Sequence, residues 1–210
     1  TIFAVTFTNK AAQEMRERVE KLIGPMGKYV WISTFHSAAV RILRRHADRL
    51  GYQKSFVIYD DGDQKTLIKK ILAEMRIADK ALSPQVVQSA IDAAKNELLT
   101  PELYASQPLN FIEERVAEVY TRYQALLKEN NALDFGDLIV QTVRLLETCP
   151  DIAQYYAANL KYLMVDEYQD TNPAQYRLLT LLSGGDIVTK PRNLFVVGDE
   201  DQAIYGWRGG

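Results

Sequence analysis

The stretch from Tyr162 to Asp170 reads YLMVDEYQD, an apolar run that closes on adjacent aspartate and glutamate residues. Near the C-terminus, Asn193 to Gln202 reads NLFVVGDEDQ and repeats this arrangement. Short apolar runs bounded by polar residues are typical of strands that are buried in a parallel sheet. Because ligands of open α/β sheets bind at the carboxyl ends of strands, both acidic ends are candidate ligand sites.

The N-terminal region alternates between strand and helix signals. Ile2 to Phe7 is predicted as a buried strand, followed by a helix from Asn9, its predicted cap, to Ile23. A second strand is predicted over Tyr29 to Ile32, and a second helix over Ser37 to Leu50. This alternation favours an α/β fold in which helices flank a parallel sheet.

The middle of the chain has a different character. Asp60 to Glu129 shows helical periodicity, as in the stripe from Leu67 to Met75, and almost no strand signal. We therefore predict an all-helical insertion domain over residues 56–132. It interrupts an α/β domain that is formed by residues 1–55 and 133–210.

Three further helices and two strands are predicted after the middle segment. Asp134 and Asn172 are suited to cap helices through their side-chain oxygens, and Pro150 is suited to a first helical turn. Strands are predicted over Tyr162 to Val165 and Leu194 to Val197, and the helices that begin at Pro150 and Pro173 are predicted to end at about Asn159 and at Leu182. The α/β pattern therefore resumes beyond the insertion.

The acidic strand ends carry the candidate chemistry. Mg²⁺ binds one or two carboxylates together with phosphate oxygens and water, and Asp166 is suited to this role. Glu167 could orient an attacking water or accept its proton, and Gln202 could contact a terminal phosphate. The alternative is that these are solvated loop residues and helix caps. Two such strand ends in one chain make that alternative the weaker one.

Aromatic and cationic residues adjoin the strand ends. Tyr205, Trp207 and Arg208 follow the second acidic end, and aromatic rings stack on bases with about 1–3 kcal/mol per base. The segments Thr6 to Lys10 and Ser33 to Ser37, at the ends of the first two predicted strands, offer hydroxyls for phosphate contacts and one aromatic ring each, Phe7 or Phe35. Core packing of these aromatic residues is the alternative.

Composition limits the class of protein. The net charge is −2 and the pI about 5.8, so any nucleic-acid surface must be local. The single cysteine, Cys149, excludes an intrachain disulfide and fits a reducing compartment. Because no apolar run approaches about 18 residues and no signal-peptide pattern is present, we expect a cytoplasmic protein. The abrupt ends, without an initial Met, indicate a piece of a longer protein.

With these residues in hand, the chain resembles the UvrD/Rep/PcrA family of superfamily 1 DNA helicases. The matching strings are AVTFTNKAAQEMRERV, ISTFHSAAVRILR, LDFGDL, VDEYQDTNPAQY and VVGDEDQAIYGWRG. They occur in the family's order, and the middle segment lies where the family carries a helical insertion domain.

The resemblance implies a RecA-like motor domain that hydrolyses ATP with Mg²⁺ and moves 3′ to 5′ along single-stranded DNA, unwinding at duplex junctions in the bacterial nucleoid. By motif, Asp166 would coordinate Mg²⁺, Glu167 would activate water, and Gln202 would link the γ-phosphate to the DNA site. The implied DNA contacts are Phe7, Thr8, Asn9, Thr34, His36, Tyr205, Trp207 and Arg208. Leu133 to Leu138 would support the DNA side, where Gly136 replaces an acid common in relatives.

Two features of the family are missing from these 210 residues. The chain has no GxxxxGK[ST] phosphate loop, which the resemblance places upstream of Thr1. The second motor domain is expected beyond Gly210. We therefore expect this chain alone not to hydrolyse ATP at a useful rate.

Two other functions stay open from the sequence. A metal-dependent nuclease or phosphohydrolase would use Asp166, Glu167 and Asp199 directly, without a nucleotide. A non-catalytic module that binds single-stranded DNA would use the acids only as caps.

Overall fold

The structure is a computed structural model and describes residues 1–77, 82–185 and 194–202. The strands are β1 (Ile2–Thr6), β2 (Trp31–Thr34), β3 (Val57–Tyr59), β4 (Ala132–Asp134), β5 (Tyr162–Val165) and β6 (Leu194–Val196). The helices are α1 (Asn9–Ile23), α2 (Phe35–His46), α3 (Asp61–Glu74), α4 (Pro84–Asn96), α5 (Pro101–Ala105), α6 (Phe111–Glu129), α7 (Phe135–Thr148), α8 (Pro150–Asn159) and α9 (Pro173–Leu182). In these ranges no helix combines the length and apolar character needed to cross a membrane.

A parallel sheet of four strands, in the order β2-β1-β5-β6, forms the centre of the fold. Phe3 pairs with Trp31 on one side of β1 and with Leu163 on the other, and Val165 pairs with Val196. The α/β class and the parallel sheet flanked by helices are therefore confirmed.

Some predicted boundaries of the N-terminal elements were wrong. The second strand begins at Trp31 because Gly24–Tyr29 forms a 3₁₀ turn. Asn9 is the first residue of α1 and does not cap it. The cap is Thr8, whose Oγ1 accepts a hydrogen bond of 3.1 Å from the Ala11 amide. Thr8 has the extended backbone of a cap residue, so its hydroxyl meets the unpaired amides of the first turn.

The later helix starts are confirmed. The Asp134 carboxylate accepts a hydrogen bond of 2.8 Å from the Asp137 amide, and Asn172 Oδ1 accepts one of 2.9 Å from Gln175. Pro150 is the first residue of α8. These bonds span three residues, so short-range sequence rules identify them.

The buried apolar residues form two main clusters. The larger unites residues within 3–56 with residues within 133–182 and includes Phe3, Phe35 and Leu138. The second lies within 67–132 and joins α3, α4 and α6 through residues such as Ile68 and Tyr123.

The middle segment is not wholly helical, contrary to the prediction. Val57 pairs with Ala132 and Tyr59 with Asp134, so β3 and β4 form a two-stranded parallel sheet. Each strand has only three residues, which is too short to show alternation. The partner strands are also far apart in the sequence. This small sheet joins the two ends of the middle segment.

A buried charge network joins the middle helices to the start of α7. Lys95, only 1% exposed, places Nζ 2.6 Å from Asp134 Oδ2 and 2.8 Å from Asp137 Oδ1. Tyr123 donates to the same Asp134 oxygen at 2.9 Å, and Gln124 Nε2 donates to Asp137 at 3.0 Å. The network therefore ties α4 and α6 to the cap of α7.

The pKa values of this network follow from burial and close pairing. Burial by itself lowers the pKa of Lys95, but the Asp134 and Asp137 carboxylates reverse that effect and raise it overall. Burial and the adjacent Asp134 raise the pKa of Asp137 to about 6. Lys95 therefore stays charged, and its ammonium group neutralises one of two buried carboxylates.

Gly136 leaves the space that the Lys95 side chain fills. A Cβ atom at Gly136 would lie 2.8 Å from Lys95 Cδ and 3.1 Å from Lys95 Cβ. Because two carboxylates hold Nζ, the lysine stem cannot move aside freely. We expect Gly136→Ala to lower the free energy of unfolding by about 1–3 kcal/mol, as overpacking does. Urea denaturation followed by circular dichroism measures the change.

Gly62→Ala is the matched control, because Gly62 is also the second residue of a helix whose capping box has aspartates at both positions. There the Cβ atom would meet only the Asp60 carboxylate, at 3.2 Å. Gly→Ala within a helix gains about 0.5–1 kcal/mol, so this variant should be neutral or slightly stabilised. Equal losses in the two variants would contradict the role of Lys95.

Candidate functional site

The parallel sheet brings four strand ends to one edge, called here the carboxyl edge. Phe7, Phe35, Asp166 and Val197 directly follow β1, β2, β5 and β6. All four strands run in the same direction, so the residues after them line up across the sheet. The predicted candidates within residues 1–36 and 166–202 therefore share this edge.

The acidic pair lies at the centre of the carboxyl edge. Asp166 is half-buried, and its amide donates to the Val5 carbonyl at 3.0 Å. Glu167 is exposed and has a left-handed backbone, with φ 55° and ψ 43°. Non-glycine residues in this conformation cost about 1 kcal/mol or more and cluster at functional sites. The tight turn places the two adjacent carboxylates at the open end of the sheet.

A chain of hydrogen bonds connects Glu167 to Gln202. Gln169 Nε2 donates to Glu167 Oε2 at 2.7 Å, and Gln169 Oε1 accepts from the Asp199 amide at 3.0 Å. Gln202 Nε2 then donates to Asp199 Oδ2 at 2.6 Å. The candidate residues of the two acidic strand ends are thus physically linked across β5 and β6.

Sequence reasoning missed Gln169, which is the central member of this chain. A glutamine two residues after a glutamate carries no local signal, because its second partner, Asp199, lies in the segment after another strand. Gly198 permits the approach, since a Cβ atom there would lie 2.8 Å from Gln169 Oε1. The glycine at position 198 is the one feature of the sequence that relates to this contact.

An aromatic cavity occupies the β1 and β2 side of the carboxyl edge. Its volume is about 200 Å³. It is lined by Phe7, Thr8, Phe35, His36, Asn96, Asp170, Asn172 and Gln175. The Phe7 and Phe35 rings pack with their centroids 5.3 Å apart. Phe35 is buried and Phe7 half-buried, so Phe7 is the ring that remains accessible.

His36 contributes a polar edge to the aromatic cavity. Its ring meets Phe135 edge-on at 5.8 Å, and burial lowers the pKa of His36. The imidazole is therefore neutral at neutral pH. It can donate or accept a hydrogen bond but carries no charge toward phosphate.

The predicted hydroxyl and amide candidates differ in accessibility. Thr8 and Asn9 are exposed at the start of α1. Thr34 is buried. Its hydroxyl accepts a hydrogen bond of 3.2 Å from the Ser37 amide and donates one of 3.0 Å to Ser37 Oγ. Both hydrogen-bonding capacities of Thr34 are therefore used within the cap of α2. Tyr205, Trp207 and Arg208 lie outside the described residues.

Asp166 is the predicted metal ligand at the carboxyl edge. Over residues 1–77, 82–185 and 194–202, no group of three or more His, Cys, Asp or Glu residues could hold a metal ion. Within the same ranges the Asp166 carboxylate forms no hydrogen bond or ion pair. A single free carboxylate fits Mg²⁺ that takes its other ligands from phosphate and water, and does not fit an all-protein cage.

The sequence was compared with protein families and with known proteins. The family model of the UvrD/REP helicase N-terminal domain matches residues 1–210. The chain is 50% identical over 208 residues to "ATP-dependent DNA helicase PcrA" of Staphylococcus aureus (strain Mu50 / ATCC 700699) and, to the same extent, to that of Staphylococcus epidermidis (strain ATCC 12228 / FDA PCI 1200). These matches cover 99% of the chain and 28% of each relative. The chain belongs to the UvrD/REP helicase N-terminal domain family.

Proposed function

We propose that this chain is part of the motor of an ATP-dependent DNA helicase, which couples Mg-ATP hydrolysis to 3′ to 5′ movement on single-stranded DNA. The relatives carry that name and are 50% identical. The observation that carries the proposal is the carboxyl edge. There the hydrogen-bonded chain from Glu167 to Gln202 lies beside the aromatic cavity, so nucleotide chemistry and base stacking adjoin. Duplex junctions with a single-stranded arm are the proposed substrates.

The proposal divides the chain into a RecA-like motor domain and a helical insertion. Residues 1–55 and 133–210 form the motor, and residues 56–132 form the insertion. The two main apolar clusters support this division, because one joins residues on both sides of the insertion and the other stays inside it. The small β3–β4 sheet lies at the boundary between them, because it pairs the two ends of the insertion.

On the nucleotide side, Asp166 would hold Mg²⁺ together with phosphate oxygens of ATP, and the ion would neutralise charge that develops during phosphoryl transfer. Glu167 Oε2 accepts a hydrogen bond from Gln169 Nε2, and this bond orients the carboxylate. Glu167 Oε1 would then be left to hold a water or accept its proton. Gln202 would contact the γ-phosphate. Because Gln202 is linked to Glu167 through Asp199 and Gln169, a shift of either end would be transmitted along the chain.

On the DNA side, Phe7 would stack on a base while the buried Phe35 ring supports it. Thr8 and Asn9 would contact phosphate at the start of α1, since helix N-termini attract anions. The neutral His36 would donate a hydrogen bond. We assign Thr34 a positioning role, because its hydroxyl holds the first turn of α2. Tyr205, Trp207 and Arg208 complete the proposed DNA surface.

The nuclease alternative would require Asp166, Glu167 and Asp199 to share a metal ion. In the structure, Asp199 instead accepts hydrogen bonds from Gln202 and from the Asp201 amide, and Gln169 lies between Asp199 and Glu167. This arrangement favours a nucleotide-sensing network over a metal cluster.

The test compares ATP hydrolysis by the 210-residue chain and by its full-length parent, each with Mg²⁺ and with or without single-stranded DNA. We expect strong stimulation by DNA in the parent and no hydrolysis in the 210-residue chain, which has no phosphate loop. Unwinding of junctions with 3′ or 5′ single-stranded arms gives the direction of movement. DNA binding without hydrolysis by the parent would favour a non-catalytic module. Metal-dependent DNA cleavage without nucleotide would favour a nuclease.

A further inference from the structure

A second cavity lies at the opposite edge of the main sheet and plays no part in the proposed motor. We call it the basal pocket. Its volume is about 330 Å³, and its lining includes Thr1 and Trp31, which lie at the amino ends of β1 and β2. The five residues of β1 separate it from the carboxyl edge by roughly 16 Å, at about 3.3 Å per residue. It is therefore a separate site on the same sheet.

The charge of the basal pocket is entirely positive. Lys28, Arg41 and Arg45 line it, and no aspartate or glutamate does. In the part of the chain that the structure describes, none of the three forms an ion pair. The chain has 27 acidic and 25 basic residues, so this local excess is not a consequence of overall composition. Three unneutralised cations around one cavity favour an anionic ligand.

The cations are interleaved with aromatic rings. Arg41 lies 4.5 Å from the centre of the Trp31 ring, and Arg45 lines the pocket together with Tyr156. Tyr29 and Tyr155 are 75% and 49% exposed. An arginine that stacks through its planar face still has N–H donors along its edge. Cation–π packing therefore accounts for the orientation of Arg41, and the Tyr155 ring meets Tyr156 edge-on at 5.2 Å. The solvent-exposed parts of the Tyr29 and Tyr155 rings remain accessible to a ligand.

We propose that the basal pocket binds a nucleoside phosphate. The phosphate would lie among Lys28, Arg41 and Arg45, and the base would stack on Tyr29 or Tyr155. Stacking on exposed rings beside cationic donors is the chemistry by which proteins bind single-stranded nucleic acid without reading its sequence. The volume lies at the lower end of the range for small-ligand sites, about 300–1,000 Å³, and suits a single nucleotide. The ligand is either a free nucleotide or one unit of a single strand.

Tryptophan fluorescence tests the proposal directly. The chain has two tryptophans, Trp31 in the basal pocket and Trp207 on the proposed DNA surface. In a Trp207→Phe variant of the 210-residue chain, Trp31 is the only tryptophan, and Arg41 above its ring makes its fluorescence sensitive to phosphate binding. We expect saturable quenching by thymidine monophosphate, weaker quenching by thymidine, and competition by inorganic phosphate. If an eight-nucleotide oligothymidylate binds more tightly than thymidine monophosphate, the ligand is a single strand. If the two bind equally, the ligand is a free nucleotide.

Variants separate specific binding from general charge. Arg41→Gln/Arg45→Gln should weaken thymidine monophosphate binding by at least about tenfold, because it removes two charge-assisted contacts. Tyr29→Leu/Tyr155→Leu, which removes both candidate stacking rings, should reduce the affinity for thymidine monophosphate to that for inorganic phosphate. Arg44→Gln is the matched control from the same helix, since Arg44 packs over Phe56 outside the pocket, and it should bind normally. Absence of saturable quenching, or equal affinity in the double variant and the control, overturns the proposal.

Discussion

A Lys95→Met variant is expected to lose about 3–5 kcal/mol of unfolding free energy, the usual cost of removing one partner of a buried ion pair. Lys95 is 1% exposed and is the cation closest to both Asp134 and Asp137. Methionine preserves the volume of the stem, so the loss reflects two buried carboxylates without a counter-ion. Urea denaturation at neutral pH measures it.

The unfolding free energy that Lys95→Met loses should increase with pH. The pKa of Asp137 is already raised to about 6, and removal of the Lys95 charge raises it further. In the variant, the folded state therefore binds more protons than the unfolded state from about pH 4 to above pH 6. Stability of the variant falls as pH rises through this window. The difference from the unmodified protein should be larger at pH 8 than at pH 5.

Two controls separate charge from packing in this experiment. Lys70→Met removes an exposed lysine whose Nζ lies 3.8 Å from Glu74, and such surface pairs contribute about 0–1 kcal/mol. Lys95→Met/Asp134→Asn/Asp137→Asn removes all three charges while retaining side chains that can cap α7, and should recover much of the lost stability. A loss below about 1 kcal/mol for Lys95→Met would contradict the buried-network account.

A Glu167→Gln variant of the full-length parent is expected to hydrolyse ATP about 10²- to 10⁴-fold more slowly in the presence of single-stranded DNA, the usual contribution of a general base. Glutamine has nearly the same shape, and its amide oxygen can still accept the bond from Gln169 Nε2. The turn and the link to Gln202 should therefore persist. Steady-state hydrolysis gives the loss in kcat, and binding of a fluorescent ATP analogue should remain close to normal.

Glu17→Gln is the matched control for the general-base prediction. Glu17 is also exposed and accepts a hydrogen bond from a glutamine Nε2, that of Gln13 at 2.9 Å, but it lies on α1. The Glu17→Gln variant of the full-length parent should hydrolyse ATP at the normal rate. If Glu167→Gln retained more than about a tenth of the activity, another residue would have to activate the water, and the proposed role would be wrong.

Local rules predicted most of the secondary structure and the order of the site elements. Pro150 to Asn159, Tyr162 to Val165 and Pro173 to Leu182 were predicted with the observed bounds. Caps such as Asp134 bond to amides three residues away, so the signal lies within one helical turn. The acidic strand ends were identifiable because a strand and the residue after it are adjacent in the chain.

Contacts between distant segments were decided only by the tertiary structure. Lys95 occupies an ordinary position of an amphipathic helix, and nothing near it in the sequence indicates burial. Its partners, Asp134 and Asp137, belong to another element. The pairing of β3 with β4 and the bridge from Gln169 to the Asp199 amide likewise join segments that sequence periodicity treats independently. The sequence by itself determined where helices and strands begin and which chemistry follows them, because those preferences act over one or two turns. The fold decided which of those groups meet, because burial and pairing depend on the positions of all the elements together.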